Sequence, residues 1–82
     1  IYLCKDIAPF CIPYHFDADY KLVSCIIYLD DCSKFHFLHN DVEKSIKSRK
    51  NRLVFFSSTS TFHCVKYTND NRLSLQFYFS IL

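Results

Sequence analysis

The chain contains no glycine, no tryptophan and no methionine. At an average usage of roughly 7%, about six glycines would be expected. Without them, turns that need positive φ fall to Asn and Asp, whose short polar side chains tolerate that region. The clusters Asn69-Asp70-Asn71 and Asp30-Asp31 are the places the sequence offers for such turns. A glycine-built phosphate loop or nucleophile elbow is excluded at the Ser57-Ser-Thr-Ser-Thr61 cluster, which reads as the turn before a strand. Long apolar runs are missing as well. The longest, residues 22–29, is broken by Ser24 and falls far short of the ~20 residues a membrane-spanning helix needs. No charged start, apolar centre and small-residue cleavage site marks a signal peptide. The chain opens on Ile1, so it is expected to be a fragment.

What is present is apolar. Half of the 82 residues are hydrophobic, which argues against a disordered chain. A chain of this size buries only about 60–65% of its unfolded surface, so its core is marginal without a metal, ligand or partner. The net charge of +2 is too small to imply a polyanionic partner, and neither nucleic acid nor membrane is expected. Lys44, Lys47, Arg49, Lys50 and Arg52 do crowd into one stretch, residues 44–52. A positive patch there could meet phosphate or an acidic peptide, although a solvated loop between strands is the favoured reading.

The cysteines number five, so at least one stays free however the others pair. Cys4/Cys11 and Cys25/Cys32 are spaced too widely for a zinc knuckle, and Cys25 sits inside an apolar run. They read as reduced, mostly core thiols. His36 and His39 with Cys32 suggest a second metal site, but no fourth ligand is evident and they read as partly exposed strand-end histidines.

Strand signals outnumber helix signals. Residues 22–29 are β-branched and aromatic, and residues 34–38, 52–56 and 62–67 are shorter strand candidates. In residues 73–80, Leu73, Leu75, Phe77 and Phe79 share one face, which is expected to pack. Ser74, Gln76, Tyr78 and Ser80 share the other, in phase with Arg72. Residues 40–50 could form a short helix, with Asn40 as cap and Glu43 at the capping-box spacing, or equally a charged loop. The pattern is that of one mostly antiparallel β domain, a sandwich or barrel-like sheet.

Three features carry chemistry. In His15-Phe16-Asp17 an imidazole and a carboxylate stand two apart, so on a strand both project from one face. His63 sits far downstream on another strand candidate. Two histidines and one carboxylate on one side of an open iron form the facial triad of non-haem Fe(II) oxygenases. Arg72, nine residues beyond His63, could hold the distal carboxylate of a dicarboxylic co-substrate.

With these residues in place, the sequence resembles the Fe(II)/2-oxoglutarate-dependent dioxygenases, and particularly their prolyl 4-hydroxylase-like branch. His15-Phe-Asp17 followed by residues 23–29 looks like that branch's metal motif and next strand. Residues 53–56 and 62–65 look like its "LVLF … HxV" stretch, and residues 72–79 like its co-substrate strand. The resemblance implies a double-stranded β-helix (jelly-roll or cupin-like), incomplete here, as a single partial domain over residues 1–82. It implies that His15, Asp17 and His63 ligate Fe(II), that Arg72 pairs with the 2-oxoglutarate C5 carboxylate and that Tyr28 supports that carboxylate. Ile26 shares the strand parity of Tyr28, and Gln76 and Tyr78 share that of Arg72, so these three should line the same cavity. Tyr2 is a looser match to a tyrosine on the strand before the metal motif.

The implied chemistry consumes 2-oxoglutarate and O2, with ascorbate as an accessory, and releases succinate and CO2 while hydroxylating a C–H bond. A prolyl or other side chain of a peptide or protein is the implied substrate, with small molecules and nucleic-acid demethylation left open. Against the family pattern, the glycines after the strand ending at Leu29 are replaced by Asp30-Asp-Cys-Ser-Lys34, and eight core strands look hard to fit into so short a chain. Two other readings stand beside it: a truncated, non-catalytic remnant acting as a binding module, and a disulfide-stapled secreted β domain. An oxygen-sensitive iron site and the lack of a visible signal favour an intracellular location, cytoplasmic or nuclear, with the endoplasmic reticulum left open.

Overall fold

The computed structural model describes residues 1–31 and 34–80. It contains eight strands: β1 (Tyr2–Asp6), β2 (Phe10–His15), β3 (Val23–Tyr28), β4 (Lys34–His39), β5 (Val42–Lys47), β6 (Leu53–Ser57), β7 (His63–Thr68) and β8 (Arg72–Phe79). No helix occurs among the described residues. The strands form two four-stranded antiparallel sheets, in the spatial orders β1-β8-β3-β6 and β2-β7-β4-β5. Every connection except the β4–β5 hairpin passes from one sheet to the other. That alternation is the winding of a double-stranded β-helix, the expected fold.

Eight strands fit because the connections are short, which corrects the expectation that they would not. The tightest is the turn of Asn40 and Asp41, with φ of 51° and 62°, between partners His39 and Val42. Two consecutive residues at positive φ are the signature of a type I′ hairpin turn, whose twist matches that of the strands it joins. The same pair excludes the helix that was one of two readings of residues 40–50, the other being a charged loop. An Asn that can cap a helix can also enter the left-handed region, and here the second property wins, sending residues 42–47 back as β5.

The third positive-φ residue is Asn51 (71°). The duty that glycine usually performs therefore falls to Asn and Asp, but at other positions than the two clusters singled out. Those clusters act through side chains instead. Asp30 Oδ2 accepts from Leu73 N–H at 2.8 Å, and Asn71 Oδ1 accepts from Ala8 N–H at 2.7 Å.

Between the sheets, Ile26, Tyr28 and Val54 pack against Phe35, with Phe37, Ile46 and Phe56 around them. Strand parity assigns the remaining inward positions. Ser24, Ile26 and Tyr28 of β3 are directly opposite Tyr78, Gln76 and Ser74 of β8, so the polar half of β8 faces inward. Leu73, Leu75, Phe77 and Phe79 consequently point out, and Phe79 is exposed. The apolar half of β8, expected to pack, is the outer half; the interior at this strand is a polar-walled cavity rather than a close-packed core. Cys4, Cys11, Cys25 and Cys64 are free, so no disulfide staples the described residues, and Cys32 lies outside them.

Candidate metal centre

The last residue of β2 is His15, and the first residue of β7 is His63; the two are register partners across neighbouring strands. Pairing places both imidazoles at one end of the inter-sheet space, with ring centroids 4.3 Å apart. Asp17 lies past the end of β2, so strand parity alone does not align it with His15. Its backbone N–H donates to Ser58 O at 3.0 Å, which pins the connection against the end of β6. The carboxylate then reaches both histidines: Asp17 Oδ1 is 3.5 Å from His15 Nε2 and 3.3 Å from His63 Nε2. One ligand atom from each residue falls within 4.8 Å of the others, the one such group of three among the described residues.

Hydrogen bonds decide which atoms face inward. His15 Nδ1 lies 2.7 Å from Pro13 O and His63 Nδ1 lies 2.8 Å from Thr61 O. A carbonyl oxygen only accepts, so Nδ1 carries the proton in each ring and Nε2 presents a lone pair. Burial pushes the His63 imidazolium down from its usual range, which keeps that ring neutral near pH 7. Two nitrogen lone pairs and a carboxylate oxygen thus converge with no donor among them. A cation at their centre resolves that clustering, and the donor set suits a divalent transition metal.

Two residues behind Asp17 escaped the sequence reading. Ser24 Oγ donates to Asp17 Oδ2 and lies 2.7 Å from Ser58 Oγ. Ser24 has one hydroxyl proton and gives it to the carboxylate, so Ser58 is the donor to Ser24. Both serines are buried. The chain Ser58–Ser24–Asp17 holds Oδ2 from behind and leaves Oδ1 turned to the histidines. The available signal was Ser24 itself, the polar interruption of an otherwise apolar strand.

Arg72 is 4% exposed, and it lines the same cavity of about 130 Å³ as His15, Asp17 and His63. Its Nε donates to Asp6 Oδ2 at 2.8 Å, its register partner on β1, and its guanidinium lies 5.7 Å from the Phe10 ring centre. Asp6 was not anticipated. It takes the Nε–H, and a guanidinium so held keeps two terminal amino groups for a second carboxylate. Ile26, Gln76 and Tyr78 also line the cavity, as does Tyr2. Lys21, unremarked in the sequence, lines it too, with its ammonium 5.1 Å from the Tyr78 ring centre. Tyr28 stands on the same face but deeper, fully buried with Ile26, Phe35 and Val54 and outside the cavity wall. Among the described residues His36 and His39 join no metal cluster, and Cys32, the third member of that candidate site, lies outside them; His36 Nδ1 is 3.8 Å from Glu43, and His39 Nε2 is 3.4 Å from Asn40 Nδ2.

Residues 7–80 match the family model of the 2OG-Fe(II) oxygenase superfamily. The crystal structure of a Pseudomonas putida prolyl-4-hydroxylase superposes with a TM-score of 0.87 at 24% sequence identity, over 96% of this chain and 50% of that one. At that identity the likeness is one of fold, and the chain spans about half the length of that relative. No curated protein sequence matches the chain.

Proposed function

Because the chain belongs to the 2OG-Fe(II) oxygenase superfamily, we propose that residues 1–82 carry the metal and co-substrate site of a dioxygenase that hydroxylates a C–H bond of a peptide or protein. The observation that carries this reading is the convergence of His15 Nε2, His63 Nε2 and Asp17 Oδ1 in a cavity that also holds the buried Arg72. His15, Asp17 and His63 are the proposed ligands, disposed on one side so that the opposite side stays open to the cavity. Fe(II) with 2-oxoglutarate, when bound, supplies the activation of O2 and the oxidising power for hydroxylation, with succinate and CO2 as co-products.

The chain's own residues bind, orient and shelter. The two backbone carbonyls fix the imidazole tautomers, and Ser58 and Ser24 fix the carboxylate rotamer. Arg72 offers its two terminal amino groups to the C5 carboxylate of 2-oxoglutarate, held in place by Asp6 from the Nε side. Tyr28 is directly opposite Ser74, the next residue along that face of β8 from Arg72, and its phenol is proposed to back the same carboxylate. Ile26, Gln76 and Tyr78 wall the cavity and restrict water. A prolyl side chain is the proposed target, supported by the fold shared with a prolyl-4-hydroxylase.

Anaerobic titration with Fe(II) and 2-oxoglutarate tests the site, read through the visible charge-transfer band of the chelate. The band is expected from the folded chain and should vanish in His63→Ala. Arg72→Lys keeps the charge but loses the planar fork, and should raise the 2-oxoglutarate requirement by about 10–100-fold. Proline-containing peptides, with ascorbate in the assay, are then the first substrates to try. A folded chain that gives no band overturns the enzymatic reading in favour of a non-catalytic binding module.

A further inference from the structure

The outer face of the second sheet carries a feature that the oxygenase chemistry does not use. Lys34 on β4 and Lys47 on β5 are direct cross-strand partners. Like charges set opposite one another in a ladder repel, and a sheet selected only for stability would avoid the pair. Both line a cavity of about 390 Å³, together with His36, Arg49 and Lys66. Its acidic lining residue is Asp31, whose Oδ1 already accepts from Lys50 N–H at 2.7 Å. Lys66 is ion-paired with Glu43, but among the described residues no carboxylate lies within ion-pair distance of Lys34, Lys47 or Arg49.

A second observation reports the same positive field. Burial holds the His36 imidazolium down, and Lys66 and Lys34 push it down further while Glu43 opposes them. Among the described residues His36 Nδ1 has no hydrogen-bond partner, the Glu43 carboxylate standing 3.8 Å away, although its side chain is largely buried at the cavity wall. The Thr68 and Ser48 side chains also belong to that wall. The exposed cations differ from a plain solvated charge run in lining one common cavity.

We propose that this cavity is a binding site for a compact multivalent oxyanion of the phosphate class, gripped by Lys34, Lys47 and Arg49. Its volume lies in the range of small-ligand pockets, and its walls carry the cationic Lys34, Lys47, Arg49 and Lys66 and the Thr68 hydroxyl, with the rings of His36 and Tyr67. That composition suits charge recognition and not the stacking of a base. The Lys34, His36 and Lys47 positions lie on the opposite face of the second sheet from Phe37 and His63, so the site can be tested separately from the metal centre.

Inorganic pyrophosphate is the probe, with thermal unfolding and amide chemical shifts as readouts. In the wild-type chain, pyrophosphate should raise the melting temperature above that in sodium chloride of equal ionic strength. The shifted amides should cluster at Lys34, Lys47, Arg49 and Thr68 and spare His15 and His63. Lys47→Gln removes one member of the repelling pair, so without anion it should melt at or above the wild-type temperature. It should also bind pyrophosphate at least tenfold more weakly. Lys47→Arg should restore binding. Equal stabilisation by matched chloride, or undiminished pyrophosphate binding by Lys47→Gln, overturns the proposal. Citrate binding as tightly as pyrophosphate would widen the ligand to polycarboxylates and overturn the phosphate assignment.

Discussion

For Asp17 to offer one oxygen to the proposed metal its other oxygen needs a partner, and Ser24 supplies one. Ser24→Ala leaves Asp17 Oδ2 and the buried Ser58 hydroxyl without their partner. It should cost about 1–3 kcal/mol of stability, seen as a lower urea midpoint. Metal affinity by calorimetry should fall about 10–100-fold, as for the loss of other groups that orient a ligand. Protonation is the second effect at this scale. His63 and His36 both lie below their ordinary 6.5, from burial first, so the unfolded chain takes up protons before the folded one does. Stability is therefore full above about 6.5 and is lost as pH falls from there toward the depressed folded values. Urea midpoints between about pH 7.5 and 5.5 should decline, and more steeply with metal present if His63 is a ligand as proposed, because its protonation would then also expel the metal. A flat profile would contradict the burial of these rings.

At the scale of elements, the β4–β5 hairpin is the local structure with the most at stake. Asp41 sits at φ 62°, a conformation that costs an L-residue energy and glycine nothing. Asp41→Gly creates Asn-Gly, the preferred type I′ pair, and should stabilise the chain by up to about 1 kcal/mol in urea unfolding. No stabilisation would mean that the turn is not of this type. β1, β2 and β5 were not among the strands read from sequence. Phe10–His15 contains Pro13, and Val42–Lys47 exposes most of its side chains, so neither shows the clean apolar alternation that marks β8. Both are edge strands, where a proline or a run of charges is tolerated because one side of the ladder has no partner.

The molecule as a whole has one sheet face of unusual character. Leu3, Leu75, Ile27 and Leu53 form a continuous row across all four strands of the first sheet, with Phe77, Cys25 and Phe55 in the next. Phe55 is 70% exposed and Leu3 68%. A contiguous apolar face of this kind drives self-association in water. Phe55→Ser combined with Leu3→Ser should reduce binding of a hydrophobic dye and concentration-dependent light scattering while leaving the β circular dichroism intact. Scattering as strong as in the wild-type chain would show that association arises elsewhere, for instance at the open strand edges.

The sequence by itself determined the chemistry that could be present. His15, Asp17, His63 and Arg72 were legible because few residue types supply lone pairs or a planar cation, and strand parity with Tyr28 and Arg72, whose roles the family resemblance implied, pointed Ile26, Gln76 and Tyr78 at the cavity. With glycine absent, it also left the positive-φ turns to Asn and Asp. Which Asn turned the chain, and whether residues 40–50 became helix or hairpin, rested on long-range pairing that local preferences do not encode. Tertiary structure alone joined His15 to His63 across two strands. It brought Ser58 behind Asp17, set Asp6 against Arg72 and turned the apolar half of β8 outward. Each of these is a contact between residues far apart in the chain, decided by the register and packing of two sheets against one another, and a linear pattern of residue types carries no record of which strands will be neighbours.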